Sequence, residues 1–335
     1  MQVLIANQEL VTELLPMAEC IDVMAEALRL LHDGDAILPL RTMLVLPGTQ
    51  NLMSLMPAYL GGIQSVGVKV IAAFPSNYGS AYDSHQGVVL LFDTEHGLLR
   101  AIVDCTSVTA LRTAAVSGVA TRLLARPDAS TLALLGAGTQ ARTHLAAMLA
   151  VRPIRQVRVY SLPAEGARQF AEREGRRYGI EVRVCETAEA AVEGASIICT
   201  VTTAQEPILR GEWLAPGAHI NAVGAFTPAT RELDTAAVAN ARLYVDRREA
   251  ALHEAGEFLI PKKEGAIGDE HILGELGELL AGSVAGRTSP QQITLFKSLG
   301  IAVEDLAAAH YVWRKAQAQN AGTWIEIGGK HFGSS

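Results

Sequence analysis

The pattern of apolar and polar residues divides the chain into two parts. From residue 131 onward, short strand-like runs alternate with helix-like or loop segments; the first, residues 132–135, is continuously apolar, and the others occupy residues 156–160, 181–185, 196–201, 219–223 and 242–245. Buried parallel strands have this continuous apolar character, and strands that alternate with helices are typical of a doubly wound sheet. We therefore predict an α/β fold with a Rossmann-type doubly wound parallel sheet over residues 117–300.

The N-terminal part has a different pattern. Residues 13–33 predict a helix, because Ile21, Met24, Leu28 and Leu31 recur at helical spacing before Gly34. Five strand candidates follow at residues 41–46, 51–56, 66–73, 87–93 and 99–104, separated by turn residues. This pattern indicates a strand-rich, mostly antiparallel α+β domain over residues 1–116, and a chain of 335 residues has room for both domains.

A glycine-rich turn follows the first apolar run of the second part. The sequence reads GAGTQA from Gly136 to Ala141 and leads directly into a helix-like segment. Gly136 permits a tight turn, Gly138 lets backbone approach a pyrophosphate, and Ala141 lets the helix pack close to the strand. An ordinary glycine-rich turn is the alternative, but the alternating strands and helices that follow favour a dinucleotide site.

Composition excludes several classes of protein. The formal net charge is −7 without a basic cluster, which argues against a nucleic-acid partner. The N-terminus lacks a secretory signal and no apolar run reaches about 18 residues, so we expect no membrane segment and a cytoplasmic location. The four cysteines lack a CxxC spacing and are predicted to be buried free thiols. No zinc motif is present, and we expect no metal.

Three cations lie in apolar surroundings in the N-terminal part. Arg41 begins a strand candidate, Lys69 lies inside GVKVIAAF, and Arg112 lies in an apolar helix candidate. A buried charge is costly unless it is paired, so each of them requires either an internal carboxylate or a bound anion. A structural salt bridge explains any one of them equally well, whereas three together favour an anionic substrate. His85, at a loop-to-strand junction, faces either a cleft or a structural partner.

Several of these segments occur together in a known order. The segments are Arg41, the Met56-Pro57-Ala58-Tyr59 turn, GVKV with Lys69, SHQGVVLLFD, TALRTAAVS with Arg112, LLGAGTQA, INAVGAFTPATRELD and TLFKSLGIAVEDLAAA. In this order they resemble the ornithine cyclodeaminase and mu-crystallin family. The resemblance implies a homodimer in which residues 1–116 and 301–335 form a substrate-binding and dimerisation domain, with a returning helix over residues 300–319.

The resemblance also implies site residues. Arg41 and Arg112 would hold a substrate carboxylate, with Lys69 near the reacting carbon or the carboxylate. Further substrate-side residues would be Met56, Phe226 and Glu254. The cofactor-binding residues would be His85, Arg112, Thr113, Gly136, Gly138, Thr139, Gln140, Ser161, Thr202, Val223 and Ser298.

Phe226 distinguishes between members of the family. Cyclodeaminases and the alanine dehydrogenase carry an aspartate at this place in the VGAFTP segment, and phenylalanine cannot do acid–base or ionic work. We therefore expect NAD(P)H-dependent reduction of a small cyclic 2-imino acid, Δ1-pyrroline-2-carboxylate or Δ1-piperideine-2-carboxylate. The alternatives are an amino-acid dehydrogenase, an ornithine cyclodeaminase, an ectoine-degradation enzyme, and a mu-crystallin-like small-ligand binding protein.

The end of the second strand bears on the choice of cofactor. An acidic residue there binds the ribose hydroxyls of NAD, but this chain has Tyr160-Ser161-Leu162-Pro163. The lack of an acid removes the repulsion against a 2′-phosphate, although the arginine frequent in NADP binders is absent too. NADPH is weakly favoured over NADH, with use of both as the alternative.

Overall fold

The chain forms two units in the computed structural model, which describes residues 2–77 and 80–328. The first unit contains residues 1–112 and 301–335, and the second contains residues 113–300. The chain passes from the first unit to the second between residues 112 and 113. This is four residues before the domain boundary expected between residues 116 and 117. Tyr78 and Gly79 of the turn-rich stretch 75–80, and residues 329–335 of the expected first domain, lie outside the described residues.

The first unit is built on one eight-stranded sheet. Its strands, numbered in chain order, are β1 (Gln2–Ala6), β2 (Ala36–Ile37), β3 (Thr42–Val45), β4 (Leu52–Leu60), β5 (Ser65–Ala73), β6 (His85–Asp93), β7 (Leu99–Asp104) and β16 (Thr323–Glu326). The order is β16-β1-β7-β6-β5-β4-β2, with β3 also paired to β4. The pairing is antiparallel except between β1 and β7, which confirms the strand-rich, mostly antiparallel prediction.

Two sequence-based predictions in this unit differ from the structure. The helix expected over residues 13–33 is α2 (Met17–His32), which begins later because Pro16 is its N-cap, and a separate short helix, α1 (Gln8–Leu14), precedes it. The Met56–Tyr59 segment is not a turn but the middle of β4, paired residue by residue with β5. Proline is tolerated at Pro57 because it lies opposite the gap between β2 and β3, an edge position.

The sheet of the first unit has one covered face and one open face. Helix α11 (Ala302–Gln319) packs on the covered face; it lies so close that a Cβ on Gly67 would lie 2.7 Å from Leu306 Cδ1. The opposite face is apolar, yet it carries exposed Leu44, Met53 and Leu55. Large exposed apolar patches mark interaction surfaces in water-soluble domains.

The second unit contains an eight-stranded sheet in which every pairing is parallel. Its strands are β8 (Thr131–Leu135), β9 (Gln156–Tyr160), β10 (Val182–Val184), β11 (Ile197–Thr200), β12 (His219–Ala222), β13 (Arg242–Val245), β14 (Ile272–Glu275) and β15 (Thr294–Lys297), in the order β10-β9-β8-β11-β12-β15-β13-β14. The predicted doubly wound sheet is confirmed. Strands β14 and β15, which are short and carry Glu275 and Lys297, were not predicted from the sequence.

Helices connect the strands of this sheet. They are α4 (Thr139–Val151), α5 (Ala164–Tyr178), α6 (Ala188–Val192), α7 (Thr235–Ala239), α8 (Arg248–Glu254), α9 (Gly256–Lys263) and α10 (Leu276–Ala281). A further helix, α3 (Cys105–Leu124), contains the boundary between Arg112 and Thr113. Among the described residues, no helix combines the length and apolar content that crossing a bilayer requires.

Candidate active site

The predicted cofactor residues of the second unit lie where strands end. Gly136 and Gly138 follow β8, and Ser161 follows β9. Thr202, Val223 and Ser298 follow β11, β12 and β15 in the same way; because all these strands are parallel, their carboxyl ends share one edge of the sheet. Ligands of open α/β sheets bind at this edge, at the point where the strand order reverses, which here lies between β8 and β11.

The two glycines of the GAGTQA turn have different geometries. Gly136 has a φ of +114°, and a Cβ on it would lie 2.7 Å from the carbonyl oxygen of Val201. Only glycine fits there without strain. A Cβ on Gly138, in contrast, would meet nothing within 4 Å, so the space beside this residue is open. The turn therefore has the tight backbone and the open approach that a pyrophosphate requires.

Helix α4 presents an uncapped N-terminus at the same place. Its N-cap is Gly138, which supplies no side-chain hydrogen bond to the first turn. The free N–H groups and the positive end of the helix dipole therefore favour an anion beside Thr139 and Gln140. These features fit the diphosphate of a dinucleotide cofactor.

A buried histidine braces this helix. His144 Nδ1 lies 2.8 Å from the carbonyl oxygen of Gln140, and its Nε2 lies 2.9 Å from Ser117 Oγ on α3. In the neutral ring, Nδ1–H donates to the carbonyl and Nε2 accepts from the hydroxyl. Burial lowers the pKa of His144 to about 4, so the ring is neutral at physiological pH.

The turn after β9 offers no charge to a ribose or a phosphate. Residues 160–166 read YSLPAEG and contain no lysine or arginine. The Ser161 hydroxyl donates to the carbonyl oxygen of Pro163 at 3.2 Å, and Glu165 pairs with Arg168 at 2.8 Å. Glu165 and Arg168, the charged residues that follow this turn, thus pair with each other.

The first unit contains a buried ion-pair cluster. Lys69 Nζ lies 2.9 Å from Asp305 Oδ2, and Arg112 Nε lies 3.0 Å from Asp305 Oδ1. Arg112 Nη1 also lies 2.8 Å from Glu304 Oε2. All four side chains are almost fully buried. Internal carboxylates therefore balance the charges of Lys69 and Arg112, and the two cations share Asp305. This is the structural salt bridge that was the alternative to an anionic substrate for these two residues.

Burial and neighbouring charge oppose one another in this cluster. Burial lowers the pKa of Lys69, and Arg112 adds to that effect. Burial works in the opposite direction on Asp305, but Arg112 and Lys69 outweigh it, so the pKa of the Asp305 carboxyl lies below its usual value. For Arg112, likewise, burial is outweighed by Asp305 and Glu304, and its pKa is raised. The Asp305 carboxylate is therefore ionised, and the Arg112 guanidinium is charged.

The structure brings His85 and Met56 to the same face of the sheet as Lys69. Met56 lies directly opposite Lys69 on β4, and Val89 lies opposite it on β6. His85 precedes Val89 by four residues, so alternation of side chains along the strand puts both on one face. Burial, then the charge of Lys69, lowers the pKa of His85. His85 Nδ1 lies 3.0 Å from Ser84 Oγ.

The remaining predicted residues lie elsewhere. Arg41 immediately precedes β3 and is partly exposed. Thr113 is buried in α3 as the first residue of the second unit, and Glu254 ends α8, partly buried. Phe226 lies in the loop after β12 and is 39% exposed.

Sequence reasoning missed several buried charged residues, five of which make buried ion pairs or hydrogen bonds. Glu304 and Asp305 lie inside the apolar AVEDLAAA segment and Lys297 inside TLFKSL, while Glu232 and Glu257 follow less regular segments. The available signal was a charge within an apolar run, the argument already applied to Lys69. Over residues 2–77 and 80–328, no three His, Cys, Asp or Glu side chains are grouped to hold a metal ion.

The fold and the turn geometry define the class of protein. An all-parallel doubly wound sheet with an open glycine turn at its switch point is the architecture of a dinucleotide-binding protein. More specifically, the chain belongs to the ornithine cyclodeaminase/mu-crystallin family, whose sequence profile matches residues 1–320.

Relatives of known activity support both statements. The ketimine reductase mu-crystallin of Mus musculus is 42% identical over 282 residues, which cover 84% of this chain and 86% of the relative. The structure of Thermococcus litoralis Δ1-pyrroline-2-carboxylate reductase with NADH and L-proline matches with a TM-score of 0.94 and 39% identity, covering 96% and 99% of the two chains. An archaeal alanine dehydrogenase dimer with bound NAD gives a TM-score of 0.91 and 33% identity, covering 98% and 100%. The chain is an oxidoreductase that uses a nicotinamide cofactor and acts on carbon–nitrogen bonds.

Proposed function

We propose that this protein reduces a small cyclic 2-imino acid, Δ1-pyrroline-2-carboxylate or Δ1-piperideine-2-carboxylate, to L-proline or L-pipecolate. The observation that carries this proposal is Phe226, an apolar ring partly exposed in the loop at the carboxyl end of β12. A flat apolar ring packs against a planar imine but cannot activate water or hold an ammonium group. Similarity to the mouse and Thermococcus reductases supports the same substrate class.

A buried carboxylate that contacts this loop does not replace the missing aspartate. Glu232 contacts Gly224 in the same loop, but it is fully buried and both of its oxygens accept hydrogen bonds. A carboxylate in that state has no oxygen available to take a proton from water or a substrate amine. This argues against cyclodeamination, which depends on such a group.

In the proposed reaction the protein binds, orients and supplies charge. When bound, the reduced nicotinamide supplies the hydride that reaches the imine carbon. Arg41 would hold the substrate carboxylate together with the Nη2 group of Arg112, since a planar guanidinium matches its geometry. Nε and Nη1 of Arg112 already pair with Asp305 and Glu304. Lys69 would bind the same anion or give the imine nitrogen its proton; a buried lysine with a lowered pKa releases a proton more readily than an exposed one.

We further propose that both NADH and NADPH are accepted. Residues 161–163, between β9 and α5, include no acid to repel a 2′-phosphate and no cation to attract one. The weak preference for NADPH inferred from the sequence rests on the missing acid alone. NADH is the cofactor bound by the Thermococcus relative, and that supports its use here.

A homodimer is part of the proposal. The open face of the first-unit sheet is apolar from β3 through β5, and Leu55 at its centre is 42% exposed. A second copy of the chain would cover such a face by isologous contact. The archaeal alanine dehydrogenase of the same fold is a dimer, which supports this arrangement.

The decisive experiment follows the loss of NADH or NADPH absorbance after each cyclic imino acid is added at mildly acidic pH. Rapid turnover supports ketimine reduction and ranks the two cofactors. Parallel assays with L-alanine and NAD⁺, and with L-ornithine and NAD⁺, test the dehydrogenase and cyclodeaminase alternatives. Proline and ammonia formed from ornithine would contradict the proposal, and ligand binding without turnover would favour a binding protein.

A further inference from the structure

Three fully buried charged side chains lie behind the loops at the carboxyl ends of β11, β12 and β15. They are Glu232, Glu257 and Lys297, each at most 1% exposed. We call them the Glu232 network. Neither the sequence motifs nor the proposed substrate contacts assign any role to it.

Glu232 joins two of the loops that the cofactor is proposed to touch. Its Oε1 accepts hydrogen bonds from the backbone N–H and the hydroxyl of Thr202, at 2.8 and 2.7 Å. Its Oε2 accepts from the Thr200 hydroxyl at 2.8 Å and from the Gly224 N–H at 2.7 Å. One carboxylate therefore receives four hydrogen bonds and fixes the loop after β11 against the loop after β12.

Glu257 binds the backbone of Glu232, and Lys297 binds the backbone of Ala225 in the loop after β12. Glu257 Oε1 accepts from the backbone N–H of Glu232 at 3.0 Å, and Glu257 Oε2 lies 3.0 Å from Lys297 Nζ. Lys297 also donates to the carbonyl oxygen of Ala225. Ala225, the residue before Phe226, is thus bonded to the buried Lys297 ammonium group. Lys297 pairs with Glu257, which in turn accepts a hydrogen bond from the backbone of Glu232.

The contact at Gly224 leaves no room for adjustment. A Cβ on Gly224 would lie 2.1 Å from the carbonyl oxygen of Thr202 and 2.6 Å from Glu232 Oε1. The two loops and the carboxylate are in direct contact, so a change at Glu232 is transmitted to Thr202 and to residues 223–226. Burial, together with the charge of Glu257, raises the pKa of Glu232, while the bonds from Thr202 oppose that effect.

We propose that Glu232 is a positioning residue for hydride transfer: it sets the loops of Thr202 and Phe226 at the orientation in which nicotinamide and substrate react. This inference rests on the proposed use of those loops by cofactor and substrate. It adds a determinant of rate that does not itself touch either molecule. Such a residue acts mainly on turnover, because small displacements of reacting groups cost far more in rate than in affinity.

The test uses Glu232→Gln in the full-length protein. The glutamine has the same shape, but its amide NH₂ would face an N–H donor that the carboxylate now accepts. Glu174→Gln is the matched control, because Glu174 is also buried in the second unit and pairs with Arg173 at 2.6 Å on α5. Three quantities are measured: the affinity for NADH, the fluorescence emission of bound NADH, and kcat on the substrate that the unaltered protein turns over.

We expect Glu232→Gln to keep its affinity for NADH, because the GAGTQA turn is untouched. Its kcat should fall about 10- to 100-fold, and the emission of bound NADH should shift as the nicotinamide environment changes. Glu174→Gln should leave the NADH affinity, kcat and the emission of bound NADH unchanged. A Glu232→Gln protein that behaves like the control, or that loses affinity and kcat in parallel, would overturn the inference.

Thr200→Val covers the case in which Glu232→Gln does not fold, since it removes one of the four hydrogen bonds and keeps the carboxylate. A smaller change of the same pattern would support the role of Glu232, and unchanged kcat and emission would contradict it. If the unaltered protein reduces no cyclic imino acid, the proposed function fails. The emission of bound NADH still decides the inference in that case, because it requires no substrate.

Discussion

The Lys69 ammonium lies 2.9 Å from the Asp305 carboxylate, and both side chains are buried. Because Asp305 also binds Arg112, its removal would leave two buried cations with Glu304 as their remaining partner in the cluster. We expect Asp305→Asn to lower the free energy of unfolding by about 3 kcal/mol or more. Urea denaturation of the variant and of the unaltered protein measures this difference in the free energy of unfolding. Glu26→Gln, which breaks an exposed pair with Arg29, is the control and should change stability by less than about 1 kcal/mol.

Arg41 is predicted to act on substrate alone. Arg41→Ala should raise KM for the imino acid sharply, roughly 10-fold or more, because a charge-assisted contact to the carboxylate is lost. Affinity for NADH, measured by fluorescence titration, should stay nearly the same. Arg29→Ala, an exposed arginine on α2, is the control. Equal effects on KM and on cofactor affinity would contradict the carboxylate role.

Gly138→Ala tests the cofactor turn without disturbing the fold. A Cβ there meets no protein atom within 4 Å, so the melting temperature should not change, whereas a methyl group in the open approach should weaken NADH binding at least about 10-fold. Gly136→Ala provides the contrast: its φ of +114° and the Val201 carbonyl predict loss of stability as well. Unchanged NADH affinity in Gly138→Ala would show that the diphosphate binds elsewhere.

His144 predicts a pH dependence of stability. Burial lowers its pKa in the folded protein to about 4, whereas an unfolded histidine has a pKa near 6.5. Between these values the unfolded chain binds a proton that the native state does not, so His144 stabilises the fold less as pH falls from about 6.5 to 4, by roughly 3 kcal/mol in total. Urea denaturation at several pH values in this range should show a flatter dependence for His144→Gln. An identical slope would show that His144 is not held neutral.

The open face of the first-unit sheet predicts the effect of a charge at Leu55. If the chain forms the proposed dimer through this face, Leu55→Lys should yield a monomer, because an ammonium group would be buried without a partner in the interface. Light scattering after size-exclusion chromatography measures the mass. Leu162→Lys, at an exposed leucine of the second unit, should leave the mass unchanged. A Leu55→Lys protein that remains dimeric would place the interface elsewhere.

The regular part of the fold was predictable because its signals are local. Strand-like runs and the GAGTQA turn identified β8, β9 and the doubly wound sheet. Strands β14 and β15 were missed because each has only four residues and ends in a charge, Glu275 or Lys297, whose partners are distant in sequence. Lys69 was singled out for its apolar surroundings, but nothing near it in sequence identifies Asp305 as its partner. Long-range pairing of this kind becomes visible only in the folded chain.

The first unit is discontinuous in sequence, and this has a consequence for its synthesis on the ribosome. Arg112 precedes Asp305 by 193 residues, and the whole second unit is made in between. Until α11 emerges, the covered face of the first sheet lacks its helix, and Lys69 and Arg112 lack their carboxylates. Domains fold as units in order of synthesis where they can. We therefore expect residues 113–300 to fold first, and ribosome-bound chains that stop before residue 301 to keep their N-terminal third sensitive to protease.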